Sequence, residues 1–233
     1  MDAIVMAAGE GRRLRPLTER WPKSILPIDG VPVIATLLRE LRSAACAQVH
    51  MVVGHLGEQI EGLVGDGSGF GLAVRYVRQP RAEGSADAVI RALAEGARPP
   101  LVVVAADTVF TRGDLARFAE TAAGADGAIA WRADPPPSPP HRAALGVAGR
   151  RVVRVLDDDP ANPRASAPLW WLETRLAQFL DYSLPGPPYE LSRAYQQGID
   201  AGLEVRAVEI GKTRDLTHPP DLVEENFPYL AGS

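Results

Sequence analysis

Glycine and basic residues are concentrated between Ala7 and Lys23, where the sequence reads AAGEGRRLRPLTERWPK. This stretch follows a short apolar run, Ala3–Ala7, that is typical of a buried strand. Glycine lacks a Cβ, so backbone N–H groups at Gly9 and Gly11 can approach an anion closely and adopt positive φ. Arginine forks and a lysine ammonium together match the oxygens of a polyphosphate. The stretch therefore predicts a nucleotide-phosphate loop whose cations are Arg12, Arg13, Arg15 and Lys23.

The spacing of the loop excludes two common phosphate-binding motifs. A P-loop has four residues between its glycines and then Gly-Lys-Ser/Thr, whereas a single residue separates Gly9 from Gly11. A dinucleotide fingerprint needs a third glycine at position 14, which is Leu14. The missing glycine argues against an NAD-dependent enzyme.

What remains resembles the signature of the sugar-1-phosphate nucleotidyltransferases, G-x-G-T-R-L-x-P-L-T-x-x-x-P-K. The match runs from Gly9 to Lys23, with Arg12 at the position where Thr is usual. The resemblance implies catalytic roles for Arg13 and Lys23. It also implies nucleotide contacts from the loop, which we assign to Ala8, Gly9, Gly11 and Arg12.

A second informative segment, QPRAEGSADAV, begins at Gln79. Gly84 and Ser85 precede an Ala-rich helix, whose N-terminus leaves free amides and a small-residue surface that a flat base can approach. The segment resembles the family motif Q-x-x-x-x-G-T-A, in which the Gln and the Gly-Thr turn contact the nucleobase. The resemblance assigns Gln79, Gly84 and Ser85 as base contacts, although Ser85 as a plain helix N-cap is an alternative.

Two aspartates are candidates for a magnesium site. Asp107 ends the apolar strand that starts at Leu101, and ligands of open α/β sheets bind at the carboxyl ends of strands. Magnesium prefers hard oxygen ligands and keeps several waters. Asp107 resembles the first metal aspartate of the family, and Asp215 resembles the second, which leads the family element D-x-G-T-P-E-D-L.

The acceptor side is less well matched. Family members that act on hexose phosphates carry Glu-Lys-Pro after a hairpin, with the Lys on the sugar phosphate, whereas this chain has Asp158-Asp159-Pro160. Either the acceptor is a different compound, or the phosphate is held by another cation, such as Arg142, Arg164 or Lys212. Gly146 matches the sugar-facing glycine of the family, so a sugar phosphate stays favoured. Trp170 either lines the sugar pocket or packs in the core.

The resemblance implies one Rossmann-like, glycosyltransferase-A-like α/β/α domain with a mixed, mostly parallel sheet over residues 1–233. We expect a nucleotide-binding half, 1–122, and an acceptor-binding half, 123–233, with an exposed Pro-rich loop at 134–140. Hydrophobic periodicity predicts, among other elements, helices at about Thr174–Tyr182 and Tyr189–Ala201. We also expect the short form of the family, without a β-helix acyltransferase domain.

Composition limits the remaining function classes. A net charge of −4 argues against a general nucleic-acid binder. Cys46, the only cysteine, is expected to be a buried packing residue in an apolar helical stretch. No apolar run approaches the roughly 18 residues of a membrane span, and no signal peptide is evident, so we expect a cytoplasmic enzyme.

The implied reaction is attack of a sugar-1-phosphate on the α-phosphorus of a nucleoside triphosphate, with magnesium as cofactor and pyrophosphate as leaving group. UTP or dTTP is favoured over purine triphosphates, because Ala8 and residues 56–77 resemble short uridylyltransferases. A cytidylyltransferase for phosphocholine or another alcohol phosphate is one alternative. The departures at Ser24, Asp159 and His218 leave a non-catalytic nucleotide-sugar-binding regulator as another, although retention of both aspartates favours the enzyme.

Overall fold

The computed structural model describes residues 1–133 and 143–227 of the 233-residue chain. The expected Pro-rich loop at 134–140 and the candidate cation Arg142 lie outside the described residues. The strands are β1 (Asp2–Ala7), β2 (Pro27–Ile28), β3 (Val31–Pro32), β4 (Gln48–Val53), β5 (Ala73–Arg78), β6 (Leu101–Ala105), β7 (Thr108–Val109), β8 (Gly127–Ala133), β9 (Ala144–Ala148), β10 (Arg151–Asp157), β11 (Arg164–Leu172), β12 (Val205–Glu209) and β13 (Arg214–Asp215). The α-helices are α1 (Val33–Ser43), α2 (Gly57–Val64), α3 (Ser85–Ala94), α4 (Asp114–Ala122), α5 (Thr174–Ala177), α6 (Leu191–Asp200) and α7 (Pro219–Asn226).

Nine strands form one sheet in the order β5-β4-β1-β6-β11-β8-β12-β10-β9. Only β10 and β11 run against the other seven, so the predicted mixed and mostly parallel sheet is confirmed. Because β6 pairs with β11, strands from both expected halves belong to the same sheet. The expected division near residue 122, into a nucleotide-binding and an acceptor-binding half, therefore concerns the roles of the residues, and it stays a prediction.

Helices cover both faces of this sheet, as buried parallel strands require. On one face, α1, α2 and α4 pack on a core cluster that contains Leu38, Ile60 and Phe118, all 0% exposed. On the other face, α3, α5 and α6 pack on a second cluster that contains Val89, Leu176 and Tyr195. Each helix buries an apolar stripe while its polar side stays in water. The resulting α/β/α layers leave the carboxyl ends of β1, β4 and β6 on one edge.

The sequence patterns located most elements but were wrong in two places. The helix expected at Thr174–Tyr182 ends at Ala177, after only four residues. The chain then continues as turns and short loops to Glu190, and this stretch contains Pro185, Pro187 and Pro188. Cys46 is buried as expected, but it lies between α1 and β4, and not within the helix. Burial raises the pKa of its thiol to about 11, which suits a packing residue.

Trp170 and Trp171 face opposite sides of β11, as the alternation of an extended strand requires. Trp171 is in the first core cluster, and Trp170 packs on the second. The sheet register places Trp170 opposite Val103, in the interior of β6. Trp170 therefore lies in the middle of the sheet and not at the edge where the strands end.

The buried His50 predicts an acid-dependent loss of stability. It is 1% exposed on β4, and burial lowers its pKa below the ordinary value of about 6.5. The unfolded chain then binds a proton more readily than the folded chain, so the free energy of unfolding should fall as the pH drops below about 6.5. Urea unfolding at pH 7.5 and pH 5.5 measures this decrease. It should be smaller in His50→Gln and unchanged in His55→Gln, whose parent side chain is exposed. An equal decrease in all three proteins would contradict the assignment to His50.

Candidate active site

The loop after β1 is shaped by Gly11 and Thr18. Gly11 has φ of 62°, and a Cβ at this position would lie 2.8 Å from the Thr18 methyl group. The buried Thr18 hydroxyl donates a 2.9 Å hydrogen bond to the Gly11 carbonyl and so closes the loop. Gly9 does not have positive φ, contrary to expectation, and a Cβ there would meet nothing within 4 Å. The space above Gly9 is thus open to a ligand.

The cations of the loop differ in how they are paired. Arg12 donates to Glu10 at 2.8 Å, and the Arg15 guanidinium lies 3.6 Å from the same carboxylate. The hydrogen bond from Arg12 lowers the pKa of Glu10. Arg13 is exposed and makes no ion pair with a carboxylate of the described residues. Of these arginines, Arg13 is therefore the one that keeps its fork for a ligand.

Lys23 brings both predicted metal aspartates together. Its ammonium lies 2.5 Å from Asp107 Oδ2 and 3.8 Å from Asp215 Oδ2. The Lys23 side chain is 14% exposed, whereas the two carboxylates are 34% and 39% exposed. Two acids and one base thus meet at the carboxyl edge of the sheet, although 84 residues separate Lys23 from Asp107. We call this cluster of Asp107, Asp215 and Lys23 the acidic pair with Lys23.

The position of Asp215 depends on backbone contacts around it. β13 pairs with β7, which aligns Asp215 with Thr108, the residue after Asp107. Upstream, the Gly211 N–H donates to the buried Asp114 carboxylate at 2.8 Å. Downstream, the Thr217 hydroxyl donates to Asp215 Oδ2 at 2.9 Å. These contacts hold the second aspartate beside the first.

A third, small hydrophobic cluster connects the loop to the Asp215 segment. Leu14 follows Arg13, and Leu216 follows Asp215; each is 1% exposed in this cluster. The other buried members come from the segment after Lys23 and from the start of α1, and they are Leu26, Ile28 and Val33. Burial of these side chains fixes the neighbouring charged residues without a direct contact between them.

The segment from Gln79 to Ser85 lies against the start of α6. Gly84 has φ of 110°, and the backbone of Tyr189 packs directly against it. The Tyr189 N–H donates to the Glu83 carbonyl, and the Tyr189 carbonyl accepts from Ala86 N–H. Gly84 is the residue that caps α3, so the alternative of Ser85 as N-cap is wrong. The Ser85 hydroxyl instead donates to Glu190 at 2.8 Å.

One cavity of about 510 Å³ unites most of the predicted site residues. The predicted residues in its wall are Ala8, Gly9, Gly11, Arg12, Arg13, Lys23, Gln79, Gly84, Ser85 and Asp107. Asp215 does not line it, but approaches it through Lys23. Neither Gly146 nor Trp170 lines it, so their acceptor contacts stay predictions. The structure therefore unites the predicted nucleotide side and leaves the acceptor side apart.

Sequence reasoning missed several residues of this cavity. Pro188 and Glu190 reach it from the segment before α6, and nothing in the local sequence indicated that contact. Ser24 had been noted only as a departure from the usual Pro. It lines the cavity at 4% exposure, and its hydroxyl makes no hydrogen bond within the described part of the chain. Asp87, fully buried behind Gln79, had no sequence signal either.

Arg164 is the acceptor-side candidate that the structure describes best. It pairs with Ala133, the last residue of β8, and so lies at the edge where β8 ends. Its guanidinium lies 5.5 Å from the centre of the Trp131 ring. The Arg164 N–H donates to Asn162, which is 7% exposed and donates to Asp157 and to the Leu145 carbonyl. A buried amide thus fixes the turn that presents this arginine.

Comparisons with known proteins show the family to which this chain is similar. Residues 2–143 match the family described as Nucleotidyl transferase. The chain is 30% identical to a glucose-1-phosphate thymidylyltransferase from Streptomyces griseus over 97% of its own length and 65% of that protein. It is 35% identical to an N-acetylmuramate alpha-1-phosphate uridylyltransferase from Neisseria meningitidis over 60% of its own length and 62% of that protein. The chain thus spans less than two thirds of either relative.

The chain belongs to the nucleotidyl transferase family. A solved Bacillus anthracis structure, described as a candidate glucose-1-phosphate thymidylyltransferase, superimposes with a TM-score of 0.82 at 20% identity and covers 97% of this chain and 94% of its own. That likeness confirms the Rossmann-like fold. The predicted nucleotidyl transferase family is likewise confirmed. No helix in residues 1–133 or 143–227 is long and apolar enough to cross a membrane.

The contact between Gly84 and Tyr189 predicts that one methyl group added at Gly84 lowers the stability of the protein strongly. Gly84→Ala should destabilise the protein by roughly 3 kcal/mol, because it combines positive-φ strain with overlap on the Tyr189 backbone. Gly62 provides a matched control on α2, where a Cβ would meet nothing within 4 Å. Gly62→Ala should stabilise by about 0.5–1 kcal/mol. Urea unfolding of both variants measures these changes, and equal stabilities would refute the expected overlap.

Proposed function

We propose that the chain is a nucleotidyltransferase that joins a nucleoside triphosphate to a sugar-1-phosphate. An oxygen of the acceptor phosphate attacks the α-phosphorus, the bond to the β-phosphate breaks, and pyrophosphate leaves. The observation that carries this proposal is the acidic pair with Lys23 at the edge of the cavity lined by the glycine loop. The names of the two relatives, a thymidylyl- and a uridylyltransferase, support dTTP or UTP as the nucleotide.

The loop and Lys23 would hold the triphosphate in line for this displacement. An ammonium has three donors, so the contact of Lys23 with Asp107 leaves others for α-phosphate oxygens. Arg13, exposed in the cavity wall, would neutralise the charge that develops on the leaving pyrophosphate. Such a reaction needs mainly positioning and charge neutralisation, because no covalent enzyme intermediate is required.

Asp107 and Asp215 fit a magnesium ion through their donor chemistry. Both present partly exposed carboxylate oxygens, and both already approach one cation, the Lys23 ammonium. Among the described residues no group of three or more His, Cys, Asp or Glu side chains is arranged to hold a metal. Phosphate oxygens and waters would thus complete the coordination, which is common for magnesium. The ion would supply charge neutralisation at the phosphates.

On the acceptor side, Arg164 would take the place of the family lysine that Asp159 replaces. Its location at the edge of β8, beside a tryptophan ring, suits a phosphate on a compact, partly apolar ligand. Within the part of the chain that the structure describes, its guanidinium pairs with no carboxylate. Lys212 is the other described candidate, and its exposed side chain lies on the segment before Asp215.

A substrate panel tests the proposed activity directly. The protein would be mixed with magnesium, one of several nucleoside triphosphates, and either a sugar-1-phosphate or phosphocholine, and pyrophosphate release would be followed. We expect release that requires dTTP or UTP together with a sugar-1-phosphate. Release only with CTP and phosphocholine would favour the alcohol-phosphate alternative. No release, together with nucleotide-sugar binding, would favour a regulatory protein.

Loss of a charged group from the acidic pair with Lys23 should abolish most of the activity without unfolding the protein. We expect Lys23→Ala or Asp107→Asn to lower kcat by about 100-fold or more, because one preorganised charge contributes on the order of 3 kcal/mol. Arg75, exposed on the edge strand β5, gives a control, since Arg75→Ala should retain wild-type turnover. Wild-type kcat in either site variant would remove that residue from the mechanism.

Replacement of Arg164 should affect the acceptor more than the nucleotide. Arg164→Ala should raise KM for the sugar-1-phosphate by about tenfold, equivalent to about 1.4 kcal/mol, and leave KM for the nucleotide within about twofold. Arg151→Ala is the matched control, because Arg151 pairs with Glu204 just before β12, at the opposite edge. Steady-state kinetics with each substrate varied measures both constants. An unchanged acceptor KM would shift the assignment to another cation.

A further inference from the structure

Asp87 lies in the first turn of α3 and is 0% exposed. Three side chains donate hydrogen bonds to its carboxylate: Gln79 Nε2 at 2.7 Å, Tyr182 Oη at 2.7 Å, and Arg91 Nε at 2.8 Å and 2.9 Å. Burial raises the pKa of Asp87, but the hydrogen bonds from Arg91, Gln79 and Tyr182 outweigh it and lower the pKa below the ordinary value. The buried group is therefore an ionised carboxylate at neutral pH.

An ionised carboxylate can only accept hydrogen bonds, so it determines which end of the Gln79 amide faces it. The nitrogen must point toward Asp87, since the oxygen would meet like charge. The same Nε2 also donates to the Gly84 carbonyl at 3.0 Å, which uses its second hydrogen. Both donors of Gln79 are thereby engaged with protein. Its Oε1 accepts no hydrogen bond from the described residues, and Gln79 lines the cavity.

Two backbone donors lie at the same end of α3. The N–H groups of Gly84 and Ser85 have no hydrogen-bond acceptor within the described residues, because they precede the first helical bonds. A ligand beside Gln79 thus meets one fixed acceptor, Oε1, and nearby fixed donors. The complementary ligand edge carries an N–H next to a carbonyl oxygen.

We propose that Asp87 is a positioning residue that locks the Gln79 amide and thereby selects a uracil or thymine base over cytosine. The imide edge of these bases places an N3–H donor between two carbonyl oxygens, which matches the acceptor and donors of the site. Cytosine has an unprotonated N3 at the same ring position, so its lone pair would face Gln79 Oε1. The inference rests on the proposed function, because it names the nucleotide that the same cavity takes.

The preference for UTP over CTP should disappear when a neutral amide replaces the Asp87 carboxylate. Calorimetry with magnesium and either UTP or CTP would give the two dissociation constants for each protein. We expect the wild type to bind UTP at least about tenfold more tightly than CTP, as a site built around one hydrogen-bond pattern does. In Asp87→Asn the ratio should fall below about threefold, because an amide accepts either orientation of Gln79.

Tyr182→Phe is the control for a merely structural role of the network. It removes one donor from Asp87 but keeps the contact with Gln79, so the UTP preference should persist even if thermal stability falls. Gln79→Leu provides a second test that does not depend on the folding of Asp87→Asn. This variant should also lose the preference, because the acceptor is gone.

The outcomes separate the inference from the proposed function. Wild-type preference retained in Asp87→Asn or in Gln79→Leu would overturn the inference, as would equal binding of UTP and CTP by the wild type. In those cases nucleotide binding itself would still support a nucleotidyltransferase. If the wild type bound neither of these nucleotides and also no dTTP, both the proposed function and the inference would fail.

Discussion

The contact of the Lys23 ammonium with two carboxylates is the interaction on which the site depends. It joins the glycine loop, the end of β6 and β13 at a single point. With one positive and two negative groups, the formal charge of this point is −1, which by itself would repel a polyphosphate. A divalent cation between the aspartates would make it +1. The same cluster holds three segments of the chain together, and under the proposed function it would attract a polyanion only with such a cation bound.

Most of the surrounding structure can be understood as support for that point. The cluster of Leu14 and Leu216 buries apolar side chains directly beside the charged ones, so the loop and the Asp215 segment cannot separate without exposing them. Asp114 performs a similar task with a hydrogen bond to Gly211 N–H. Leu14 and Leu216 also line the cavity, whereas Asp114 and Gly211 do not. The geometry of the cavity is therefore fixed by apolar packing within its wall and by hydrogen bonds behind it.

Most of the residues assigned to the nucleotide side line one cavity, and the sequence could locate them because they lie in local segments. The glycine loop and the Gln79–Ser85 segment are each continuous, and each follows or precedes an element with a clear apolar period. Asp107 was predictable for the same reason, since it follows a buried strand. Contacts between distant segments were not predictable. Tyr189 against Gly84, Tyr182 on Asp87 and Glu190 on Ser85 all come from a proline-interrupted stretch whose helix was overestimated.

The assignments on the acceptor side stay predictions, and the direction of one strand decides which of these candidates reaches the edge of the sheet. β11 runs against its neighbours β6 and β8, so its first residues, and not its last, reach the edge where the parallel strands end. β11 begins at Arg164, so Trp170 lies in the middle of the sheet, where it packs, partly buried, on the second core cluster. Because β11 runs in the opposite direction to its neighbours, Arg164 lies at this edge and Trp170 does not. Arg164 is thereby available for the role that we propose for it, in place of the lysine that Asp159 replaces.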